Sequence, residues 1–508
     1  MRVNLIFTTD HPLPQDPATP TEKAMLADLN LRPMATLLAQ DDELLERILL
    51  LEWLHPLTNQ SALAYRQATV ADALADPRWA EQLYTLSSNT LQKIRNDNWS
   101  FPDGSATYQL YSQSNALDTY LTGIAAITKV PFTGKSAAGK AFSGQLKRLF
   151  TSTNLAAMHA AAAACRQNNG YSYPAALSGD LGSEPAELDF HPAGNRLTKI
   201  GHQLFNAHHH NTFEVPERDD NASSAISHDE NIAAKSSATI LTNVTSEFAT
   251  FFEQLRYQSG LLVAIHHYRV LLGTQHTTNL IFEPTTTIQG LKNTQLLLTP
   301  ALDHAVVAND LHATEHQLML ISGANQGGKT TFLRALGQAQ VLGQSGFPLA
   351  ADRFACPAYH AVLTHFRREE DTNTRHGKLD EELARMQVIV ANLKQPSLLL
   401  MNESFSSTNE HEGSIINEQI IRGLLHQNHT IVAVSHQYEL GQRLATLEPR
   451  PLFLRAERLK SGERTFKLVP GLPRLTSYGL DIFNRVFSAD DAAEQSHQAG
   501  TAPQAQQA

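Results

Sequence analysis

Apolar residues recur at helical spacing through the first part of the chain. In DDELLERILLLEWLHPL, Leu44, Ile48 and Leu51 fall on one stripe, with Leu45 and Leu49 beside it. That spacing predicts an amphipathic helix, which Pro56 closes. A second helical stretch holds Tyr65, Arg66, Asp72 and Leu74 and stops near Asp76-Pro77, and a third begins around Trp79 with Leu83 and Tyr84. Residues about 22–125 therefore read as mostly helical, and the Ala-rich stretch 136–166 continues the pattern. Residues 167–240 are rich in Asn, Gly, His, Ser and Pro and predict an exposed loop. A long helix is expected over 245–272. From about residue 315 short apolar runs alternate with helical segments: LMLIS, a helix from Lys329, SLLLMNE, a helix, then TIVAVSH. Such alternation is the mark of α/β units on a largely parallel sheet.

At 508 residues the chain is too long for one core, and two or three domains are expected. Its longest apolar runs, Ile48–Leu51 and Leu398–Met401, fall far short of a membrane span. The N-terminus lacks the apolar region of a secretion signal, so the expected location is cytoplasmic. Cys165 and Cys356 form no disulfide framework and are expected to be reduced. The net charge of -10 gives no support for a dedicated nucleic-acid binder. The run His208, His209, His210 lies in the predicted loop, where consecutive positions do not converge on one metal ion.

The chemistry concentrates in the C-terminal part. LMLISGANQGGKTTFLRALG fits GxxxxGK[ST] at Gly323, Gly328, Lys329 and Thr330, between a predicted strand and a predicted helix. The expected phosphate contacts are Gly323, Ala324, Asn325, Gln326, Gly327, Gly328, Lys329, Thr330 and Thr331. Glycines free the backbone to aim amides at phosphate oxygens, and the helix start adds partial positive charge. Lys329 would reach the β- and γ-phosphates of ATP, and the Thr330 hydroxyl would ligate Mg²⁺. A second GKS run, in TGKS at Thr133–Ser136, lacks a glycine at the required distance and a preceding apolar strand and is set aside. PSLLLMNESF is an apolar strand ending in Asn402-Glu403, where such sites place Asp-Glu. Glu403 is the expected general base, while Asn402 offers Mg²⁺ a carbonyl oxygen without charge. TIVAVSH delivers His436 to the same sheet edge, where it could sense the γ-phosphate. Between them Leu379, Leu383, Met386, Val390 and Leu393 mark an amphipathic helix that starts at Gly377-Lys378.

The order of these blocks resembles the MutS family of mismatch-repair ATPases. ISGANQGGKTTFLR resembles the family's TGPNMGGKST, GKLDEEL its trans-acting signature, and NESFSSTNEHEG its DEIGRGTSTYDG, which places Thr408 and Gly413 on family positions. SHQYEL resembles THYFEL, and Ser477, Tyr478 and Gly479 resemble the C-terminal SYGL block. VVAND, through Val307 and Asn309, resembles the segment that packs on adenine. Upstream, DDELLERILL and HPLTNQSALAYRQATVADAL resemble the helical core and lever. The resemblance departs at Asn402 and at Gly377, and the helical core begins so early that mismatch-reading domains are not expected before it. Phe251-Phe252-Glu253 spells the family's mismatch wedge, but inside an amphipathic helix, and is expected to be core.

The expected architecture is multidomain: an all-α helical core and lever followed by an α/β P-loop domain of the ABC type. Its parts are an N-terminal segment at 1–24, the helical domain at 25–289, the ATPase domain at 290–487 and a disordered tail at 488–508. The resemblance implies an ATPase that works as a homodimer and grips mismatched or branched DNA between ATP-gated levers. The competing reading is an ATP-gated protein-interaction module with weak or no hydrolysis and no DNA contact.

Overall fold

Local sequence starts each N-terminal helix. Thr19 accepts the Glu22 N–H while Glu22 reaches back to the Thr19 N–H, a reciprocal cap that opens α1 (Pro20–Asp28). Helix α2 (Leu31–Ala39) follows, and the Asp42 carboxylate accepts the Leu44 and Leu45 N–H groups at the start of α3 (Glu43–Leu54). Then come α4 (Gln60–Ala75), α5 (Arg78–Asp97), α6 (Ala106–Ile127), α7 (Ala137–Leu149) and α8 (Ser152–Ala164). Strands β1 (Ala175–Leu177) and β2 (Ser183–Pro185) pair antiparallel. Helix α9 spans Asp220–Leu272, 53 residues. In this computed structural model the described residues are 3–8, 18–97, 106–165, 175–177, 183–185, 220–299, 305–313, 317–324, 326–368, 377–459 and 464–474. Asn325, His208, His209, His210, Ser477, Tyr478, Gly479 and the expected tail at 488–508 lie outside them. Among the described residues, no helix is long and apolar enough to cross a membrane.

The chain divides into two compact units. The first takes Met1–Leu13 and Ala64–Arg269. Its core is aromatic: Phe251 and Phe252 are fully buried, with Tyr120 5.3 Å from Phe252 and Phe142 6.5 Å from Phe251, centroid to centroid. Both rings of the wedge-like triplet are thus core, as expected, and Glu253 pairs with Arg256. The N-terminal segment is strapped onto this core. The Gln258 amide accepts the Leu5 and Ile6 N–H groups and donates to the Val3 carbonyl. The GKS run is a helix start: Ser136 caps α7, and the Asp72 carboxylate accepts the Lys135 and Ser136 N–H groups at 2.8 and 2.7 Å. A protein carboxylate already fills that turn. The loop expected over 167–240 is shorter than predicted at its far end, because α9 starts at Asp220.

The second unit takes Pro14–Leu63 and Val270–Ala508. The sequence placed residues 25–63 with the helical domain instead. They belong here because α11 (Lys329–Gln344) holds them. Arg334 donates to the Asp28 carbonyl (2.9 Å), Gln338 to that of Leu29 (2.8 Å) and Gln344 to that of Leu57 (2.8 Å).

Two sheets build the rest of this unit. The first is four-stranded, in the order β3 (Leu280–Phe282), β7 (Arg353–Cys356), β4 (Thr286–Leu291), β5 (Asn309–Ala313). A short helix, α10 (Thr294–Leu298), follows β4. The second sheet has six strands in the order β12 (Arg464–Pro470), β11 (Leu452–Arg458), β6 (Leu318–Ser322), β10 (Thr430–Val434), β9 (Ser397–Asn402), β8 (Ala361–Phe366). All are parallel except β12, which runs antiparallel to β11. Every residue of β6 and β10 is buried, which explains their continuous apolar sequence. Helices α12 (Lys378–Ala391), α13 (Glu410–His426) and α14 (Tyr438–Leu444) complete the order. The apolar stripe of α12 is rotated from its expected position. Met386, Ile389 and the carboxylate-bearing Glu382 are buried, whereas Leu383 and Val390 are exposed.

A glycine-rich turn and acidic strand end form the candidate site

Strand register brings the candidate residues together. Ile321 pairs with Val434, and Val434 with Asn402, so β6, β10 and β9 end level. The Glu403 N–H donates to the Val434 carbonyl and the Ser435 N–H to that of Ile321, which extends the alignment one residue beyond each strand. The turn after β6, Asn402-Glu403 after β9 and His436 after β10 therefore share one sheet edge.

Close approach shapes the glycine-rich turn. A Cβ on Gly327 would lie 2.7 Å from the Ala456 Cβ, and one on Gly323 3.1 Å from it. Gly323 and Gly328 take φ of 121° and 87°, as does Gln326 at 62°. Gly328 is the N-cap of α11, and Lys329 is its first residue. The Lys329 ammonium is buried and folds back on its own turn, donating to the Gly323 and Ala324 carbonyls at 2.8 and 3.0 Å. Burial holds its pKa below the ordinary lysine value, while Glu403 pulls the other way.

Next along α11, the Thr330 hydroxyl donates to the Asn402 Oδ1 at 3.0 Å. These two oxygens are the candidate Mg²⁺ ligands. Both are neutral, a set that fits an ion arriving on phosphate oxygens better than a bare ion. Among the described residues no cluster of three His, Cys, Asp or Glu side chains could hold a metal. Thr331 is exposed, and its carbonyl accepts from Asn293.

Glu403 sits in a left-handed conformation, φ 52°, which an L residue adopts only when its surroundings impose it. Its Oε2 lies 2.5 Å from His436 Nδ1 and accepts the His436 N–H at 3.3 Å. That hydrogen bond raises the imidazole pKa against the opposing effect of burial. Behind Glu403 lies a buried polar chain. The Ser404 Oγ donates to the His365 carbonyl (2.9 Å) and lies 2.7 Å from His365 Nδ1. His365 Nε2 is 3.1 Å from the Glu382 carbonyl on α12. Burial pushes the His365 pKa down to about 4. Sequence pattern did not mark His365, Ser404 or Glu382, because scattered polar residues in apolar runs carry no periodic signal.

The positions matched to the family blocks have structural partners. Thr408 donates to Glu412 at 2.6 Å, and a Cβ on Gly413 would fall 2.5 Å from the Phe405 carbonyl. Gly377 caps α12 without a side-chain bond. Asn309 is buried and engaged: its Nδ2 donates to the Phe466 carbonyl (3.1 Å) and its Oδ1 accepts the Leu468 N–H (2.8 Å). Its amide thus ties β5 to β12, and half-buried Val307 lies just before it. Arg464 donates to Gln326 of the turn at 2.6 Å, another contact the sequence did not reveal.

Comparison with known proteins agrees with this division. The family model for the MutS2 N-terminal domain matches residues 58–270, close to the bounds of the helical unit, and that for MutS domain V matches 319–497. The chain is similar to the endonuclease MutS2 of Streptococcus uberis, 30% identical over 41% of this chain and 27% of that protein. It is similar also to the endonuclease MutS2 of Streptococcus equi subsp. equi (30% identity, 36% of this chain, 24% of that protein). A third relative is that of Streptococcus pyogenes serotype M49 (28% identity, 42% of this chain, 28% of that protein). The matched region spans about a quarter of the length of these relatives. Matched by family models across both its helical and its α/β parts, the chain belongs to the MutS family.

Proposed function

We propose that this chain binds ATP with Mg²⁺ on a P-loop at Gly323–Thr330 of an ABC-type domain and hydrolyses it slowly. The observation that carries the reading is the level ending of β6, β10 and β9, which gathers Lys329, Thr330, Asn402, Glu403 and His436 on one edge. Lys329 would exchange its two carbonyl acceptors for phosphate oxygens. Glu403, oriented by its backbone and by His436, is placed to take a proton from water. Mg²⁺, held by Thr330, Asn402 and the phosphates, would offset charge on the triphosphate.

The same reading makes the protein a homodimer that controls its hold on DNA through the helical unit. The exposed apolar Leu383, Val388 and Val390 on α12 support a subunit interface. The endonuclease name of the relatives supports a nucleic-acid substrate. The net charge of -10 favours the second reading, an ATP-gated module that engages protein instead.

Nucleotide binding and phosphate release should be measured on the parent, Lys329→Ala and Glu403→Gln, with and without duplex, mismatched and branched DNA. We expect Lys329→Ala to lose nucleotide and Glu403→Gln to keep it while losing turnover by about a hundredfold or more. A Lys329→Ala protein that binds ATP like the parent would sink the site. Absence of DNA binding at low salt in every nucleotide state would favour the second reading.

A further inference from the structure

The segment that carries Glu403 is bent twice. Glu403 takes φ 52° and Phe405 φ 55°, so residues with side chains adopt the left-handed conformation on both sides of Ser404. Where the block DEIGRG reads Glu-Ile-Gly, this chain reads Glu403-Ser404-Phe405. Glycine takes such a φ without strain, and a fully buried phenylalanine does not. The bend at Phe405 must therefore be imposed by its neighbours.

Three buried side chains impose it. Asn417 of α13 donates to the Ser404 carbonyl (2.9 Å), and Gln437, next to His436, donates to that of Phe405 (3.4 Å). These two bonds fix main-chain oxygens. His365 grips the side chains. Its Nδ1 lies 2.7 Å from the Ser404 Oγ, which also donates to the His365 carbonyl. Its ring stacks on that of Phe405, with centroids 5.1 Å apart and planes at 22°. His365 is itself fixed by strand pairing, opposite Met401 in the β8–β9 register. A serine and a phenylalanine, both departures from the family block, thus meet on one histidine.

We propose that His365 is a positioning residue for Glu403, holding through Ser404 and Phe405 the left-handed turn that aims the carboxylate across the sheet edge. The proposal rests on the nucleotide-site reading above and names what fixes its general base from behind. His365 acts only through this turn, so its loss should lower turnover and leave nucleotide affinity alone.

The test measures ATP affinity and single-turnover phosphate release on the parent, Ser404→Ala, His365→Gln, His365→Asn and the double variant Ser404→Ala/His365→Gln. An asparagine amide nitrogen falls where Nδ1 stood and can bond Ser404, whereas that of glutamine falls where Nε2 stood and cannot. Ser404→Ala and His365→Gln should each lose about tenfold or more in turnover at parental ATP affinity. His365→Asn should recover most of that loss, and the double variant should be no worse than either single one. Parental turnover in Ser404→Ala and His365→Gln would discard the proposal. Equal losses in His365→Asn and His365→Gln would discard it too, and so would ATP affinity that falls in step with turnover. Should the His365 variants not fold, Ser404→Ala decides alone. A parent that binds ATP without releasing phosphate would overturn the role of Glu403 and this proposal with it. A parent that binds no ATP would overturn the nucleotide site itself.

Discussion

A neutral amide at position 402 is the residue with the sharpest consequence for chemistry. Asn402 keeps the oxygen that meets Thr330 but not the charge that would hold a divalent ion in the absence of phosphate. Asn402→Asp should therefore lower the Mg²⁺ concentration needed for half-maximal phosphate release by about tenfold or more. A Mg²⁺ titration of the two proteins at fixed ATP checks this, and an unchanged midpoint would remove Asn402 from the ion's surroundings. His365 has a different consequence, for stability. Its pKa is pushed down to about 4 from 6.5, so between those values the unfolded chain binds a proton that the folded one refuses. Stability must fall as pH drops through that window, by up to about 3 kcal/mol for a shift of this size. His365→Gln lacks this penalty, so the stability gap between parent and variant should narrow from pH 7 to pH 4.5 in urea titrations. A pH-independent gap would show that His365 titrates normally.

Among the elements, those that the sequence revealed and those it hid differ in burial. Strands β6, β9 and β10 are central and parallel, so their residues face apolar layers on both sides and spell LMLIS, SLLLMN and TIVAV. Their ends, with Lys329, Thr330, Glu403 and His436, were legible for that reason. Strand β12 is an edge strand, and its RTFKLVP alternates irregularly because its register against β11 shifts between Ala456 and Arg458. Nothing local in it announces Phe466 or Arg464 as neighbours of a turn far back in the chain. Helix α12 was legible as a helix, but its buried face is displaced: Glu382, Met386 and Ile389 are buried, and the Glu382 main-chain carbonyl lies 3.1 Å from His365 Nε2. The β11–β12 ribbon also explains a glycine that the motif formula does not name. Gly327 faces the Ala456 Cβ, so Gly327→Ala should push turn and ribbon apart, costing about 1–3 kcal/mol and weakening ATP binding. Ala456→Gly should restore much of the loss in the double variant. Strictly additive effects in thermal unfolding and ATP titrations would disprove the contact.

At the scale of the whole molecule, chain order and compact unit do not coincide. Residues Pro14–Leu63 lie between the two stretches of the helical unit yet belong with the α/β part. They cover α11 with α1–α3 and occupy the Arg334, Gln338 and Gln344 side chains. A fragment starting at Val270 would leave Gln338 and Gln344 without these partners and expose apolar surface on α11. It should be insoluble alone and recover solubility and ATP binding when residues 14–63 are co-expressed or fused to it. A soluble, ATP-binding 270–508 fragment would show that α1–α3 are dispensable. The folding-back of Lys329 also bears on the whole cycle. With its ammonium donating to the Gly323 and Ala324 carbonyls, Lys329 is solvated by the dipoles of its own turn. If the proposed nucleotide binds, its departure would return the Lys329 charge to the same two main-chain dipoles rather than to bare solvent.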